Sequence, residues 1–256
     1  MKIIISPAKK MRVDTDSFVV SGMPEFLKDA CILMKKIRSL SFADVRELWR
    51  CNDRIAKLNY DRFQHMELEQ GLTPAVMAYD GLQYQHMAPG VFTADALSYL
   101  AEHLRILSGF YGLLGPFDGV VPYRLEMQAK LSVNGYEDLY DFWGNRLYQT
   151  LLDEDRVIVN LASREYAQCI EKYVTSKDRF LTIVFGELTD GKLKQKGTIA
   201  KMARGEMVRF MAEHQVCSLA QIKEFRELGF SFSEELSNEG KYVFVVERQG
   251  GLHTKL

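Results

Sequence analysis

VIVNLA, residues 157–162, is the stretch that decides the fold. It is apolar except for Asn160, begins with three β-branched residues, and is closed by Ser163, which is the pattern of a short buried strand. A similar run, KIII at residues 2–5, opens the chain and stops at Ser6 and Pro7. Residues 241–248 (KYVFVVER) alternate as a final strand, and residues 179–188 and 192–199 flank Asp190-Gly191, a dipeptide that signals a hairpin turn. Strands thus gather at the two ends of the chain while its middle is helical. The N-terminal strand is expected to join the C-terminal ones in one mixed sheet with helices around it. No Pro/Ser-rich or charge-rich linker divides residues 1–256, so the expectation is a single α/β domain.

Helical spacing fills the interval. Phe26, Leu27, Ala30, Leu33, Met34 and Ile37 form one apolar stripe, and Ser41 with Asp44 starts a second helix that carries Val45, Leu48, Trp49, Ile55 and Leu58. Thr73-Pro74 and Thr93 read as further starts, the latter opening a stripe of Leu97, Leu100, Leu104 and Leu107. Helices are also expected over 137–152, after Ser163, over 199–214, and from a Ser218/Gln221 capping box to Gly229.

Composition narrows the class. The 256 residues carry 33 Lys plus Arg against 34 Asp plus Glu and are 47% hydrophobic, which excludes a disordered chain. There is no apolar run near ~18 residues and no charged-then-apolar leader, so a cytoplasmic protein without a membrane span or signal peptide is expected. Cys31, Cys51, Cys169 and Cys217 form no CxxC pair, and the five histidines show no HxxxH spacing. Neither a disulfide framework nor a metal site or cofactor is expected.

Several motifs suggest chemistry. GELTDGK at 186–192 begins like a phosphate-binding loop, but Leu193 replaces the required hydroxyl and the context is strand-turn-strand, so it reads as a hairpin. SPAK at 6–9 has SxxK spacing without its companion elements. It reads either as an anion site, with Ser6 capping a helix that begins at Pro7 and Lys9 facing outward, or as solvated Lys9 and Lys10. In residues 108–122, Gly109, Gly112 and Gly115 form either a tight core-facing turn or the loop of a helix-hairpin-helix element whose amides grip phosphate at Gly109 and Gly112. Residues 192–209 hold Lys192, Lys194, Lys196, Lys201, Arg204 and Arg209 against the single acid Glu206. That stripe is an edge strand guarded by lysines or a track for phosphates, and its continuation into a helix favours the track. Arg124 is either paired with Glu126 or free to grip phosphate while Glu126 orients it.

Five blocks together, SPAK at 6–9, LSGFYGLLGPFDGVVPYRLEM at 107–127, YDFWG at 140–144, VIVNLAS at 157–163 and KMARGEMVRFM at 201–211, resemble the YaaA family of bacterial peroxide-stress proteins over nearly the whole length. The resemblance implies a cytosolic α/β protein with a basic cleft, a helix-hairpin-helix-like element, affinity for double-stranded DNA, and a role in limiting damage and free iron under hydrogen peroxide. Where some members carry GDVY, this chain has Gly81-Leu82-Gln83-Tyr84, with no acid at position 82 for a catalytic or metal role; Tyr79, Gly81 and Tyr84 remain to shape the cleft. Matched by motif, Lys9, Arg124, Asn160, Lys201, Arg204 and Arg209 are the cleft residues. The leading expectation is therefore a DNA-binding protein that contacts duplex phosphates with little base reading. The alternative is an enzyme acting on a nucleotide or other phosphorylated small molecule, with Lys9 and Arg124 as clamps and Glu126 or Glu165 moving protons. A broad groove favours the first, a deep pocket with a perturbed acid the second.

Overall fold

The computed structural model describes residues 1–189 and 192–246. The elements run β1 (Lys2–Ile5), β2 (Lys10–Met11), α1 (Leu27–Arg38), α2 (Phe42–Trp49), α3 (Asp53–His65), β3 (Thr73–Pro74), α4 (Ala75–Ala78), β4 (Tyr79–Asp80), α5 (Leu82–Met87) and α6 (Ala94–His103). They continue through β5 (Leu104–Ser108), β6 (Gly112–Leu114), β7 (Gly119–Val120), α7 (Leu139–Trp143), α8 (Arg146–Leu151), β8 (Val157–Leu161) and α9 (Arg164–Glu171). The C-terminal part holds β9 (Arg179–Thr189), β10 (Lys192–Lys194), α10 (Gly197–Glu213), α11 (Leu219–Ile222), β11 (Phe230–Asn238) and β12 (Lys241–Val246).

The expected mixed sheet is present. Eight strands include the path β11-β12-β9-β8-β1-β5-β6, with β10 paired to β9. The N-terminal strand sits between β8 and β5, parallel to both, with Ile5 opposite Leu161 and Ile106. Ile3, Ile4 and Ile5 are fully buried, as a central parallel strand covered on both faces must be, each contributing roughly 2 kcal/mol. The first residue fixes its edge: the Met1 ammonium donates to Asp153 (3.0 Å) and Asp155 (2.8 Å), just before β8. From β1 the chain crosses to β5 on one side and later returns to β8 on the other, so the strand order reverses between β1 and β8. In an open sheet this is where a crevice opens beyond the carboxyl ends of the strands.

Several expectations shift in detail. The stripe from Thr93 is not one helix: α6 ends at His103, and Leu104 and Leu107 belong to β5. A three-to-four-residue leucine spacing fits both an amphipathic helix and a helix followed by a fully buried strand. The helix begun by Ser41 stops at Arg50, which takes a left-handed conformation (φ 44°), and α3 restarts under the Asn52 cap. Gly144 (φ 54°) likewise separates α7 from α8. The Ser41/Asp44 and Ser218/Gln221 capping boxes both form. β9 and β10 pair as antiparallel strands, so GELTDGK is strand-turn-strand; Asp190 and Gly191 themselves, with Glu247 and Arg248, lie outside the described residues. No helix among the described residues is long and apolar enough to cross a membrane.

Candidate functional site

The crevice beyond β1 and β8 is a cavity of about 360 Å³. Its floor is held by the two strand exits. Ser6 Oγ accepts a hydrogen bond from the Ser163 amide (2.8 Å) and donates to the Ser163 hydroxyl (3.2 Å), while the Ser6 carbonyl accepts from the Tyr84 hydroxyl (2.9 Å). Ser6 thus caps the start of α9, not a helix of its own: SPAK runs in irregular backbone into the short strand β2, because the chain must turn from β1 to pair with β4. Gly81 admits that turn, since a Cβ there would stand 2.9 Å from Ala8 Cβ.

The opposite wall is α10, packed closely on α5. A Cβ at Gly205 would collide with the Gln83 carbonyl oxygen, so only glycine lets the two helices approach this far. The His86 imidazole and the Glu206 carboxylate add a 2.8 Å contact between them. This packing carries Lys201 and Arg204 to the cavity. The third wall is the extended segment around Tyr123–Glu126. Tyr123 OH lies 2.6 Å from Ser108 Oγ and 2.8 Å from Tyr79 OH, and burial pushes the Tyr123 phenol up to about 12, so the chain of hydroxyls stays protonated.

Charge is concentrated here. Lys9, Lys10, Arg124, Lys201 and Arg204 line the cavity against Asp80, Glu126 and Glu165. Glu126 takes both Arg124 (2.8 Å) and Lys9 (3.1 Å), and Lys10 pairs with Asp80. Among the described residues Arg204 has no hydrogen bond or ion pair; its Nε is enclosed, and so is that of Arg124. Burial pulls the Arg204 guanidinium below its ordinary value, the signature of a charge without compensation. Burial also pushes the Glu165 carboxyl up, against hydrogen bonding from the Gln128 amide (3.4 Å).

The cavity does not end there. Lys9 and Glu126 also line a second hollow of about 540 Å³ with Lys36, Arg50 and Lys130, and Lys36 and Ser132 open it to a third of about 630 Å³. The three hollows adjoin through these shared residues, and together they are termed the furrow, with the first as its inner pocket.

The sequence-derived candidates divide. Lys9, Lys10, Arg124, Lys201 and Arg204 converge on the inner pocket. Lys192 and Lys194 are exposed on the edge strand β10, Lys196 pairs with Glu187 (2.9 Å), and Arg209 pairs with Glu213 (2.9 Å) along α10. None of these four lines the furrow. Asn160 is buried and occupied, donating to Thr182 Oγ1 (3.2 Å) and accepting from the Ala162 amide (2.9 Å), so it finishes β8. The glycine segment is a strand hairpin, β5 to β6, and not the loop of a helix-hairpin-helix. Gly109 and Gly112 are both buried: a Cβ at Gly109 would lie 2.5 Å from the Leu125 carbonyl oxygen, and one at Gly112 2.8 Å from the Trp143 ring. Their smallness serves the passage of the Arg124 segment and the packing of Trp143, which is the core-facing reading. Lys36, Arg50 and Lys130 escaped the sequence reading, because a lysine in the last turn of α1 looks like a complement to the helix dipole.

A family model described as Peroxide stress protein YaaA matches residues 1–236. A UPF0246 protein of Pediococcus pentosaceus is 52% identical over 245 residues, covering 96% of this chain and 98% of its own. One of Desulfitobacterium hafniense is 54% identical, with 96% and 98% covered, and one of Lactiplantibacillus plantarum 48%, with 96% and 100% covered. A match over nearly the full length, together with the five sequence blocks, settles the relationship: the chain belongs to the YaaA family of peroxide stress proteins.

Proposed function

We propose that this peroxide-stress protein is a cytoplasmic DNA-binding protein that lays duplex phosphates along the furrow and so limits iron-dependent damage to the bound DNA. The observation that supports the reading is that Lys9, Lys36, Arg50, Lys130 and Lys201 come from separate stretches of the chain and line two adjoining hollows that share Lys9 and Glu126. Such cations release counterions from the phosphate backbone and read no bases, so binding is salt-dependent and nearly indifferent to sequence. The acids Asp44, Glu47, Asp80, Glu126 and Glu165 moderate the field without cancelling it, since eight cations face these five carboxylates across the two hollows.

The test is a titration of duplex DNA at several salt concentrations. Replacing Lys36, Lys130 and Lys201 together by Ala should lower affinity for every sequence and reduce the slope of log affinity against log salt by about 3, near 0.9 for each phosphate left without its cation. The same replacement at Lys192, Lys194 and Lys196, off the furrow, should change it less. The reverse ranking overturns the assignment. One observation favours a second reading, an enzyme acting on a nucleotide or other phosphorylated small molecule: the inner pocket is more enclosed than the two hollows beside it and holds an acid, Glu165, raised by burial.

A further inference from the structure

The cations of the furrow differ in depth. Lys9 and Lys10 are 65% and 79% exposed, whereas the Arg124 side chain is 10% exposed and Arg204 is largely covered. A phosphate within a stacked duplex lies on the surface of a rigid cylinder far wider than a 360 Å³ cavity, so it meets the exposed lysines and stops short of the arginines. Yet the arginines carry the unmet demand. Their Nε atoms are buried with no acceptor among the described residues, and while Arg124 is paired through its other nitrogen with Glu126, Arg204 has no ion pair among them. Buried donors of this kind require a partner, and an anion with several oxygens suits two planar forks.

Between the charged groups the wall carries an apolar patch, Pro7, Ala8 and Leu82, over the buried rings of Tyr84, Tyr123 and Tyr166. A cavity of this size is at the small end of sites for a single organic ligand. We infer that the inner pocket receives one nucleotide outside a helical stack, its phosphate on Arg124 and Arg204, Lys201 at the mouth, and its sugar and base against the half-buried Pro7, Ala8 and Leu82. The inference deepens the DNA reading and rests on it. An unpaired nucleotide of a DNA strand and a free mononucleotide present the same chemistry, and the experiment separates these two sources. Burial pushes the Glu165 carboxyl up, which favours its neutral form and lessens its opposition to an incoming phosphate relative to an exposed carboxylate.

The test measures binding of the full chain to a fully paired duplex, to the same duplex with a single-nucleotide bulge, and to free dAMP. A bulged nucleotide has already lost its pairing, so the wild type should prefer the bulge about tenfold, with dAMP erasing the preference. Arg204→Gln should bring the bulged duplex down to the paired value. Lys201→Ala, at an exposed position that leaves the fold intact, should weaken both duplexes and the bulged one more, while Lys130→Ala, in the second hollow, should weaken both equally. Saturable dAMP binding that depends on Arg204 without any bulge preference identifies the free mononucleotide as the occupant and upholds the pocket. The same dAMP binding with no duplex binding upholds the pocket and removes the DNA reading. Equal affinity for both duplexes with no dAMP binding overturns the inference and leaves the DNA reading standing.

Discussion

Gly205→Ala sets two effects of opposite sign against each other. In the interior of a helix Ala is favoured over Gly by about 1 kcal/mol, so propensity alone predicts a more stable protein. Against this, the new methyl would run into the Gln83 carbonyl oxygen and stand 2.9 Å from His86 Cβ and 3.0 Å from the Gln83 carbonyl carbon, where ordinary contact begins at 3.4 Å. The obstruction is largely backbone, so no rotamer relieves it, and α10 must back away from α5 by about half an ångström or more. Overpacking of this kind costs typically 1–3 kcal/mol, and a backbone collision belongs at the upper end. The net loss is about 2 kcal/mol, which in a chain of this size lowers the melting temperature by roughly 4–8 °C. Retreat of α10 also withdraws Lys201 and Arg204 from Gly81 and Gln83, so anion binding should weaken along with stability. Thermal unfolding monitored by circular dichroism, followed by a dAMP titration of the folded variant, reads both. A melting temperature above the wild type would refute the claim that close helix approach, rather than helix propensity, governs this position.

Two further substitutions separate stability from binding. Arg204→Met keeps a long stem and deletes a buried charge that has no partner among the described residues, so the unliganded protein should gain about 1–2 kcal/mol, or roughly 2–8 °C, while affinity for dAMP falls tenfold or more. A lower melting temperature with unchanged affinity would show that the guanidinium is compensated in the free protein. Asp178 tests pH dependence away from the furrow: burial pushes its carboxyl up, but hydrogen bonds from Tyr148 (2.7 Å) and Thr175, with the Arg156 guanidinium at 2.6 Å, outweigh this and hold it at about 2 against an ordinary 3.8. A folded value below the unfolded one means that the stabilisation is complete above about pH 4 and drains away as pH falls toward 2. Asp178→Asn should flatten that limb in denaturant titrations across the same range, and an unchanged acid limb would assign it to other carboxylates.

The strands were legible wherever burial on both faces left an uninterrupted apolar run, as in KIII and VIVNLA; residues 241–246 were read as an alternating strand, but β12 lies between β11 and β9 with Tyr242, Val243, Phe244 and Val245 all buried. β5 was hidden because Leu104 and Leu107 continue the spacing of α6, and no local feature tells a buried strand from one more helical turn when both must present leucine to the core. The site was legible to a different extent. Each cation was visible, but its fate depended on what the fold set beside it: Arg209 met Glu213 one turn along its own helix, whereas Arg204 was carried by Gly205 to a cavity whose acids Glu126 and Asp80 are paired with other cations. The glycines were misleading for the same reason. In Gly109 and Gly112 the sequence shows only that some atom comes close, and the approaching atoms turn out to be the Leu125 carbonyl and the Trp143 ring, not a phosphate. What positions the arginines is therefore a set of close approaches, to the Ala8 methyl at Gly81 and to backbone at Gly109 and Gly205, each needing a partner distant in sequence. It follows that the placement of Arg124 and Arg204 should be more sensitive to added methyl groups at those three glycines than to changes in the charged residues around them, because the walls, and not the ion pairs, hold the pocket open.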